Sequence, residues 1–360
     1  MQTGEPRAPA KGAGDAQPRV YVLLLNWRGW ADTIECLESV FRQRYSNYRV
    51  IVCDNDSPDD SVERIRAWAE GRLQAAVADG HPLANLTSPP VPKPLSVAEY
   101  DRAAAEGGGG PSVGDASIVL IHTGENLGFA GGNNVGIRFA LSRGDADYVW
   151  LLNNDTVVDP DALAMMVERA EGDSEIGMVG AKLLHYDEPA VVQAIGGGML
   201  TSWQGLATHV GSGTRDDGSW TEPMEVDCIV GACLLVKIEV VRDVGLLDET
   251  YFIYSEELDW CWSARKNGWK LIYAPGSVVW HKVSSTMGQK SPLQEYHAAR
   301  GTLYFVEKHF PRLFPIAFGY SLYRTLLPTL VRRQPERARA VLRAYRDYFG
   351  TVRGRNRGPA

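Results

Sequence analysis

Four short apolar runs mark the first half of the chain, over 20–25, 48–53, 117–121 and 148–152. Each is too short for a helix and is flanked by polar turn residues, so each predicts a buried strand. Helical spacing fills the intervals between them. Ile34, Leu37, Val40 and Phe41 share one face of a helix expected to begin near Asp32, where Asp32-x-x-Glu35 has the capping-box pattern. A second helix is expected over 61–70 with Val62, Ile65 and Ala69 inward, and a third over 133–142 closed by Gly144. A fourth opens at Asp159-Pro160, with Asp159 as its cap and proline in its first turn. This alternation predicts an α/β fold, a mainly parallel central sheet flanked by helices.

Two stretches break the rhythm. Residues 72–116 hold two proline clusters and four consecutive glycines, Gly107 to Gly110, and read as a flexible insert. From 177 to 280 the pattern is mixed: a strand ending in Gly180, a glycine-rich turn over 196–198, an apolar run over 228–236, and a helix from Glu256 to Asn267 that Gly268 stops.

Composition narrows the class. With 44% hydrophobic and 22% charged residues the chain is an ordinary globular protein, which excludes disorder throughout and collagen. The five cysteines are odd in number and sit mostly in apolar runs, so they read as reduced core thiols, and the expected location is the cytoplasm. Residues 1–19 read as a loose tail and 20–310 as the main domain. Residues 311–360 hold 11 of the 37 basic residues and 2 of the 44 acidic ones, a net of +9, which leaves −16 for residues 1–310. That basic helical extension begins with an apolar stretch interrupted by Pro315, Arg324 and Pro328, which disfavours a spanning helix. With Arg332, Arg333, Arg337, Arg339, Arg343 and Arg346 following, 313–346 reads either as a segment resting on an anionic membrane surface or as a helical pair with a solvated basic face.

Ligands of open α/β sheets gather beyond the carboxyl ends of the strands, and here those ends are polar four times over. They read Asn26-Trp27-Arg28-Gly29, Asp54-Asn55-Asp56-Ser57, Glu125-Asn126-Leu127-Gly128 and Asn153-Asn154-Asp155. Asp54 or Asp56 can accept hydrogen bonds from a base or a ribose, or can merely form a turn and cap. Gly131-Gly132-Asn133-Asn134 at a helix start suits an anionic or polyol ligand. Asp155, beside two amides, suits Mg²⁺ or Mn²⁺ that also takes phosphate oxygens, and His281 at the end of a later strand can join it. Glu256, Glu257 and Asp259 crowd the first turn of a helix, and like charges raise the pKa of at least one of them, as a general base requires. Helical spacing leaves Glu256, Asp259 and Trp260 toward solvent or substrate. Neither the dinucleotide-binding nor the P-loop glycine signature is present at these turns.

In this order and spacing, 22–27, 54–57, 125–134, 151–155, 254–260 and Trp280-His281 resemble an inverting family 2 glycosyltransferase of the GT-A fold. The stretches 125–134 and 152–155 are particularly similar to the rhamnosyltransferase branch that uses dTDP-L-rhamnose. The resemblance implies that Asn153-Asn154-Asp155 replaces the family's D-x-D, with Asp155 and His281 on a Mg²⁺ or Mn²⁺ ion. It implies a base at Glu257 or, second, Glu256. It places Asp54, Asp56, Asn134 and Arg300 at the donor, where Asn26, Arg28, Asn126, Gly128 and Asn154 also belong, with Trp260 toward the acceptor. The implied partners are a nucleoside-diphosphate sugar, dTDP-rhamnose first and a UDP-sugar second, and a glycan or lipid-linked glycan acceptor, with no nucleic acid. The rival readings are a sugar-phosphate nucleotidyltransferase and a non-catalytic nucleotide-sugar or glycan-binding module.

Overall fold

The apolar runs become the centre of one sheet, and both faces of that sheet are covered. A computed structural model describes residues 17–76, 80–110, 114, 116–283 and 291–355. The chain runs β1 (Val20–Asn26), α1 (Trp30–Val40), β2 (Tyr48–Asp54), α2 (Ser61–Ala69), β3 (Val97–Asp101), α3 (Arg102–Glu106), β4 (Ile118–His122), α4 (Gly128–Arg143) and β5 (Tyr148–Asn153). It continues through β6 (Thr156–Val158), α5 (Ala162–Glu171), β7 (Ile176–His185), β8 (Val192–Ile195), β9 (Gly197–Thr201), β10 (Leu206–His209), β11 (Met224–Glu225), β12 (Cys228–Ile229) and β13 (Cys233–Lys237). Then come α6 (Ile238–Val244), α7 (Glu256–Lys266), β14 (Lys270–His281), α8 (Pro292–His309), α9 (Phe314–Ser321), α10 (Leu327–Val331) and α11 (Pro335–Arg355). A π-helical turn over Leu322–Leu326 joins α9 to α10.

The main sheet has the order β11-β14-β7-β13-β5-β1-β2-β4-β3. Strands β5, β1, β2, β4 and β3 are mutually parallel, and β13 enters antiparallel between β5 and β7. Alternate residues of the central strands feed two core layers. Tyr21, Leu23, Ile51, Val119 and Leu151 face one layer, while Val22, Leu24, Val50, Val52 and Leu152 face the other. Burial on both faces explains why these strands read as continuous apolar runs rather than alternating ones. All five cysteines are buried free thiols.

Several local expectations are corrected. Helix α1 starts at Trp30 with Gly29 at its cap and no side-chain cap, so Asp32 and Glu35 form no capping box. Both carboxylates instead hold Lys282, at 2.5 and 2.6 Å. Helix α4 starts at Gly128, five residues before the expected start, because the glycine turn is itself helical. Helix α5 starts after Asp161, and the Asp159 carboxylate accepts the Asp161 N–H in the preceding turn rather than capping the helix.

The 72–116 segment is the largest correction. Residues 77–79, 111–113 and 115 lie outside the described residues, but the rest is built into the body. Strand β3 extends the sheet beyond β4, Ala105 of α3 is fully buried, and Leu83 and Val91 are buried as well. Sparse apolar positions suffice because each is paired with a polar tether. The Val91 N–H and the Lys93 ammonium both donate to buried Glu38, and that ammonium lies 4.0 Å over the Trp68 ring.

The carboxyl-terminal helices are continuous with the core. Val341, Ala344 and Tyr348 of α11 bury with Leu303 and Phe305 of α8, and Tyr348 packs on Tyr304 with ring centroids 5.1 Å apart. Among the described residues no helix is long and apolar enough to cross a membrane.

Candidate active site

Register brings the polar strand ends onto one edge: Asn26 faces Asp54, Asp54 faces His122, and Leu25 faces Asn153. Most of these groups are occupied with one another. Asn26 donates to Asp54 at 2.7 Å and accepts from Thr33. The Asp54 carboxylate also takes the Ser57 hydroxyl at 2.7 Å and the Ser57 N–H at 3.0 Å. Asp54 is therefore a buried brace for the turn, and the exposed acid at this strand end is Asp56. Arg28, in the left-handed region at φ 57°, is exposed, with its guanidinium 5.6 Å from the Trp27 ring.

Asn55 was singled out only as part of its motif, yet it joins two strand ends. Its amide donates to Asn126 Oδ1 and Gly128 O and accepts from the Leu127 N–H. Asn134 is likewise fully buried, donating to Leu247 O and Glu249 and accepting from the Leu247 N–H. Its side chain ties α4 to the 247–249 loop. Asn154 donates to Thr33 Oγ1 at 2.9 Å and packs closely on Gly29, where a Cβ would come within 2.7 Å of the Asn154 amide and make that side chain shift.

Asp155 and His281 come together as expected, with Nε2 3.1 Å from Oδ1 and both side chains less than a tenth exposed. Strand β14 makes this happen by pairing antiparallel with β6, which sets His281 opposite Thr156. Gln193 Oε1 lies 3.0 Å from His281 Nδ1. A Nδ1–H donated to that oxygen leaves the Nε2 lone pair turned to the carboxylate, an arrangement that a cation relieves. No third His, Cys, Asp or Glu joins the pair among the described residues. One carboxylate and one imidazole fit a Mn²⁺ or Mg²⁺ ion that draws its other ligands from phosphate and water.

The acidic helix start behaves differently from the amide rim. Tyr254 and Ser255 both have positive φ, 70° and 77°, and turn the chain sharply into α7. Such strain in non-glycine residues is retained where the surroundings impose it, often at functional sites. The reason for Gly301 lies here: a Cβ on it would be 2.6 Å from Tyr254 O, so α8 seats against this turn only with glycine. Glu256 and Glu257 each have a buried Oε2 without a hydrogen-bond partner among the described residues. Burial pushes the Glu256 carboxyl well above the usual range, and the charge of Glu257 adds to that. Burial also raises Glu257, partly offset by backbone N–H groups at the helix start. Desolvation, rather than the crowding of charges expected above, is the main cause.

The two neighbours expected to lie toward solvent or substrate are buried instead. Asp259 is buried and held by Lys308 at 2.8 Å, His309 at 2.7 Å and the Tyr251 hydroxyl at 3.2 Å. Trp260 is 2% exposed and donates its indole N–H to Gly245 O, so it faces the core and not an acceptor. The helix turns that residue inward because α6 covers this side of α7.

Beside the rim lies a cavity of about 760 Å³. Of the expected residues, Asn126, Gly128, Asn154 and Arg300 line it. The opposite wall was not foreseen: Tyr296 and His297 of α8, with Ala340 and Arg343 of α11, close it. The basic run containing Arg343 was visible, but nothing in its spacing assigned it to a site. Glu257 reaches the neighbourhood through Gly231, since a Cβ on Gly231 would lie 3.5 Å from the Glu257 side chain and 3.6 Å from Phe129, a cavity residue. The adjoining Ala232 carbonyl accepts the Asn153 N–H, so one turn links the glutamates to the strand end before Asp155.

Family models agree with this geometry. "Glycosyltransferase like family 2" matches residues 106–296, more than half of the chain, and "Glycosyl transferase family 2" matches residues 22–79. A Haloferax volcanii low-salt glycan biosynthesis hexosyltransferase, Agl10, is 26% identical over 149 residues, 41% of this chain and 47% of the relative. The chain thus spans about half the length of that relative. The Mycobacterium tuberculosis N-acetylglucosaminyl-diphospho-decaprenol L-rhamnosyltransferase is 26% identical over 234 residues, 60% of this chain and 76% of that one. A Pyrobaculum calidifontis mannosyltransferase solved with GDP-Man and Mn²⁺ superposes with a TM-score of 0.51 at 15% identity, covering 95% of this chain and 91% of that one, a likeness of fold. A GT-A sheet with its polar strand ends on one edge, matched by the family model over most of its second half, makes this chain a member of glycosyltransferase family 2.

Proposed function

We propose that the protein is a metal-dependent inverting glycosyltransferase, moving a sugar from a nucleoside diphosphate to a hydroxyl of a glycan or lipid-linked glycan in cell-surface polysaccharide assembly. The observation that carries this reading is the pair of buried, unpartnered glutamate oxygens at the start of α7, where the Glu257 side chain and the cavity residue Phe129 both border Gly231. A carboxylate kept basic by burial is suited to taking a proton from an alcohol. Glu257 is the base, because several backbone N–H groups at the helix start favour its ionised form, whereas burial and the charge of Glu257 push the Glu256 carboxyl well up. The acceptor hydroxyl gives its proton to Glu257 and its oxygen bonds to the anomeric carbon. The bond from that carbon to the diphosphate oxygen breaks on the opposite face, inverting the centre. Asn126, Asn154 and Arg300 bind the donor from the cavity wall, with Asp56 at the exposed rim. Asp155 and His281 would hold Mg²⁺ or Mn²⁺, which when bound supplies Lewis-acid stabilisation of the leaving diphosphate.

The name of the mycobacterial relative supports L-rhamnose as the first sugar to test; dTDP-rhamnose, the donor that the sequence resemblance implies, comes first in the panel, with UDP-sugars next. Released nucleoside diphosphate is to be measured across a donor panel with a lipid-linked acceptor, and the anomeric configuration of the product by NMR. Transfer with inversion that stops in excess EDTA and returns with Mn²⁺ is expected. Retention of configuration, or release of pyrophosphate from a nucleoside triphosphate and a sugar phosphate, would remove this reading in favour of other chemistry.

The membrane contact of 313–346 belongs to the same proposal and places the protein on the inner face of the membrane. Ile316, Tyr323, Leu327, Leu330 and Val331 are exposed large apolar side chains, and Arg312, Arg324, Arg332 and Arg333 are exposed among them. No acid occurs from 311 to 335. That combination suits an anionic lipid surface. Flotation with anionic but not zwitterionic vesicles is expected, with loss in Leu330→Ser/Val331→Ser; equal flotation of wild type and variant rules it out.

A further inference from the structure

The cavity lining has a charge pattern of which the donor-site reading uses only Arg300. Among the described residues that line it there are two guanidiniums, Arg300 and Arg343, and no carboxylate. In a chain of net charge −7 this is an unusual local excess of positive charge. Arg300 has a buried Nε without a partner and no carboxylate partner among the described residues; its other contact is the Tyr304 hydroxyl, 3.3 Å away. Arg343 reaches Asp347 only at 3.5 Å, and that acid is shared with Arg346 at 2.9 Å and with the Tyr296 hydroxyl. One negative charge therefore serves two arginines.

Both guanidiniums lie against aromatic rings, although 67% of the Arg343 side chain is exposed. Arg300 lies 5.1 Å from the Tyr304 ring centroid and Arg343 the same distance from that of Tyr296. Stacking fixes the planar fork, so less freedom is lost when an anion binds. Between them His297 stacks on Phe252, 5.1 Å centroid to centroid. Burial, with the two arginines adding, pushes its imidazole down to about 4, so it is neutral at pH 7. Leu25, Trp27 and Phe129 add apolar side chains to the same lining.

We propose that Arg343 on the carboxyl-terminal helix and Arg300 on α8 together form a diphosphate-binding site, which makes the terminal helix a working part of the substrate cavity. This rests on the reading of the cavity as the substrate site. The diphosphate belongs either to the nucleotide donor or to a lipid-linked acceptor, since both present the same anionic group.

Calorimetric titration of the full chain in excess EDTA, which removes any contribution through Asp155 and His281, tests the site by binding alone. Inorganic pyrophosphate is expected to bind wild type saturably and to bind Arg343→Gln about tenfold or more weakly, as loss of a charged hydrogen bond predicts. Arg343→Lys should fall between them. Arg339→Gln, on the same helix but outside the cavity lining and not paired with Asp347, should bind like wild type. Repeating the titration with dTDP and with farnesyl diphosphate identifies the source: a loss confined to dTDP assigns the donor, a loss confined to farnesyl diphosphate assigns the acceptor, and a loss with both assigns a shared site. No pyrophosphate binding by wild type, equal binding by Arg343→Gln, or an equal loss in Arg339→Gln overturns the proposal. None of these outcomes depends on whether sugar transfer occurs.

Discussion

The amide rim and the acidic helix start lie on either side of one turn and handle polarity in opposite ways. Around Asn26, Asp54, Asn55 and Asn134 the side-chain groups donate to and accept from neighbours, and the residues are buried because they are satisfied. At Glu256 and Glu257 buried oxygens have been left without partners among the described residues. A satisfied network specifies a shape, whereas an unsatisfied buried group costs stability and is retained where chemistry uses it. Polar residues of equal prominence in the sequence thus divide into braces and reactants only once their partners are known.

The largest effect that can break this contrast is kinetic. Glu257→Gln should lower turnover by about 10²–10⁴ while nucleoside diphosphate binding is kept, because the proton acceptor is lost and the shape is not. Normal turnover in Glu257→Gln, read by released nucleoside diphosphate, would reduce the pair to scaffolding. Gly301→Ala comes next. Its Cβ would displace the Tyr254 carbonyl and with it the glutamates, so turnover should fall by about 10–100-fold with little change in the circular dichroism spectrum.

On the rim the expectation is the reverse. Asn134→Ala strands the Leu247 N–H and carbonyl and should cost about 1–3 kcal/mol of stability in denaturant unfolding, far more than a surface change does. The smallest effect sharpens the other side. Glu256 has a raised pKa in the folded state, so the fold binds more protons than the unfolded chain and loses stability as pH climbs above the ordinary glutamate value toward the raised one. Glu256→Gln should therefore raise Tm by a few degrees at pH 8 and leave it nearly unchanged at pH 4. An equal gain at both would separate the effect from ionisation.

Much of this was readable in advance, and the limits have physical causes. Strands β1, β2, β4 and β5 were legible because burial on both faces writes an unbroken apolar run. The Asp155–His281 pair was legible because His281 ends a strand and Asp155 sits in the turn directly after one. Segment 72–116 was misread because its order comes from single tethers, such as Val91 and Lys93 on Glu38, which leave no periodic trace. Trp260 and Asp259 were misassigned because a helix start gives no sign of which side its neighbours cover, and α6 and α8 cover theirs. The α8–α11 wall was invisible for the same reason: contact between segments more than 40 residues apart follows from tertiary packing alone.

That wall alters how the protein can be dissected. Cutting after α8, the natural choice for anyone seeking a minimal catalytic fragment, would uncover Tyr304 and Phe305 and take the α11 residues away from the pocket wall. Single-residue changes on the outer surface, rather than shortened chains, are the proper tools for separating what the final fifty residues do for lipid contact from what they do for the ligand.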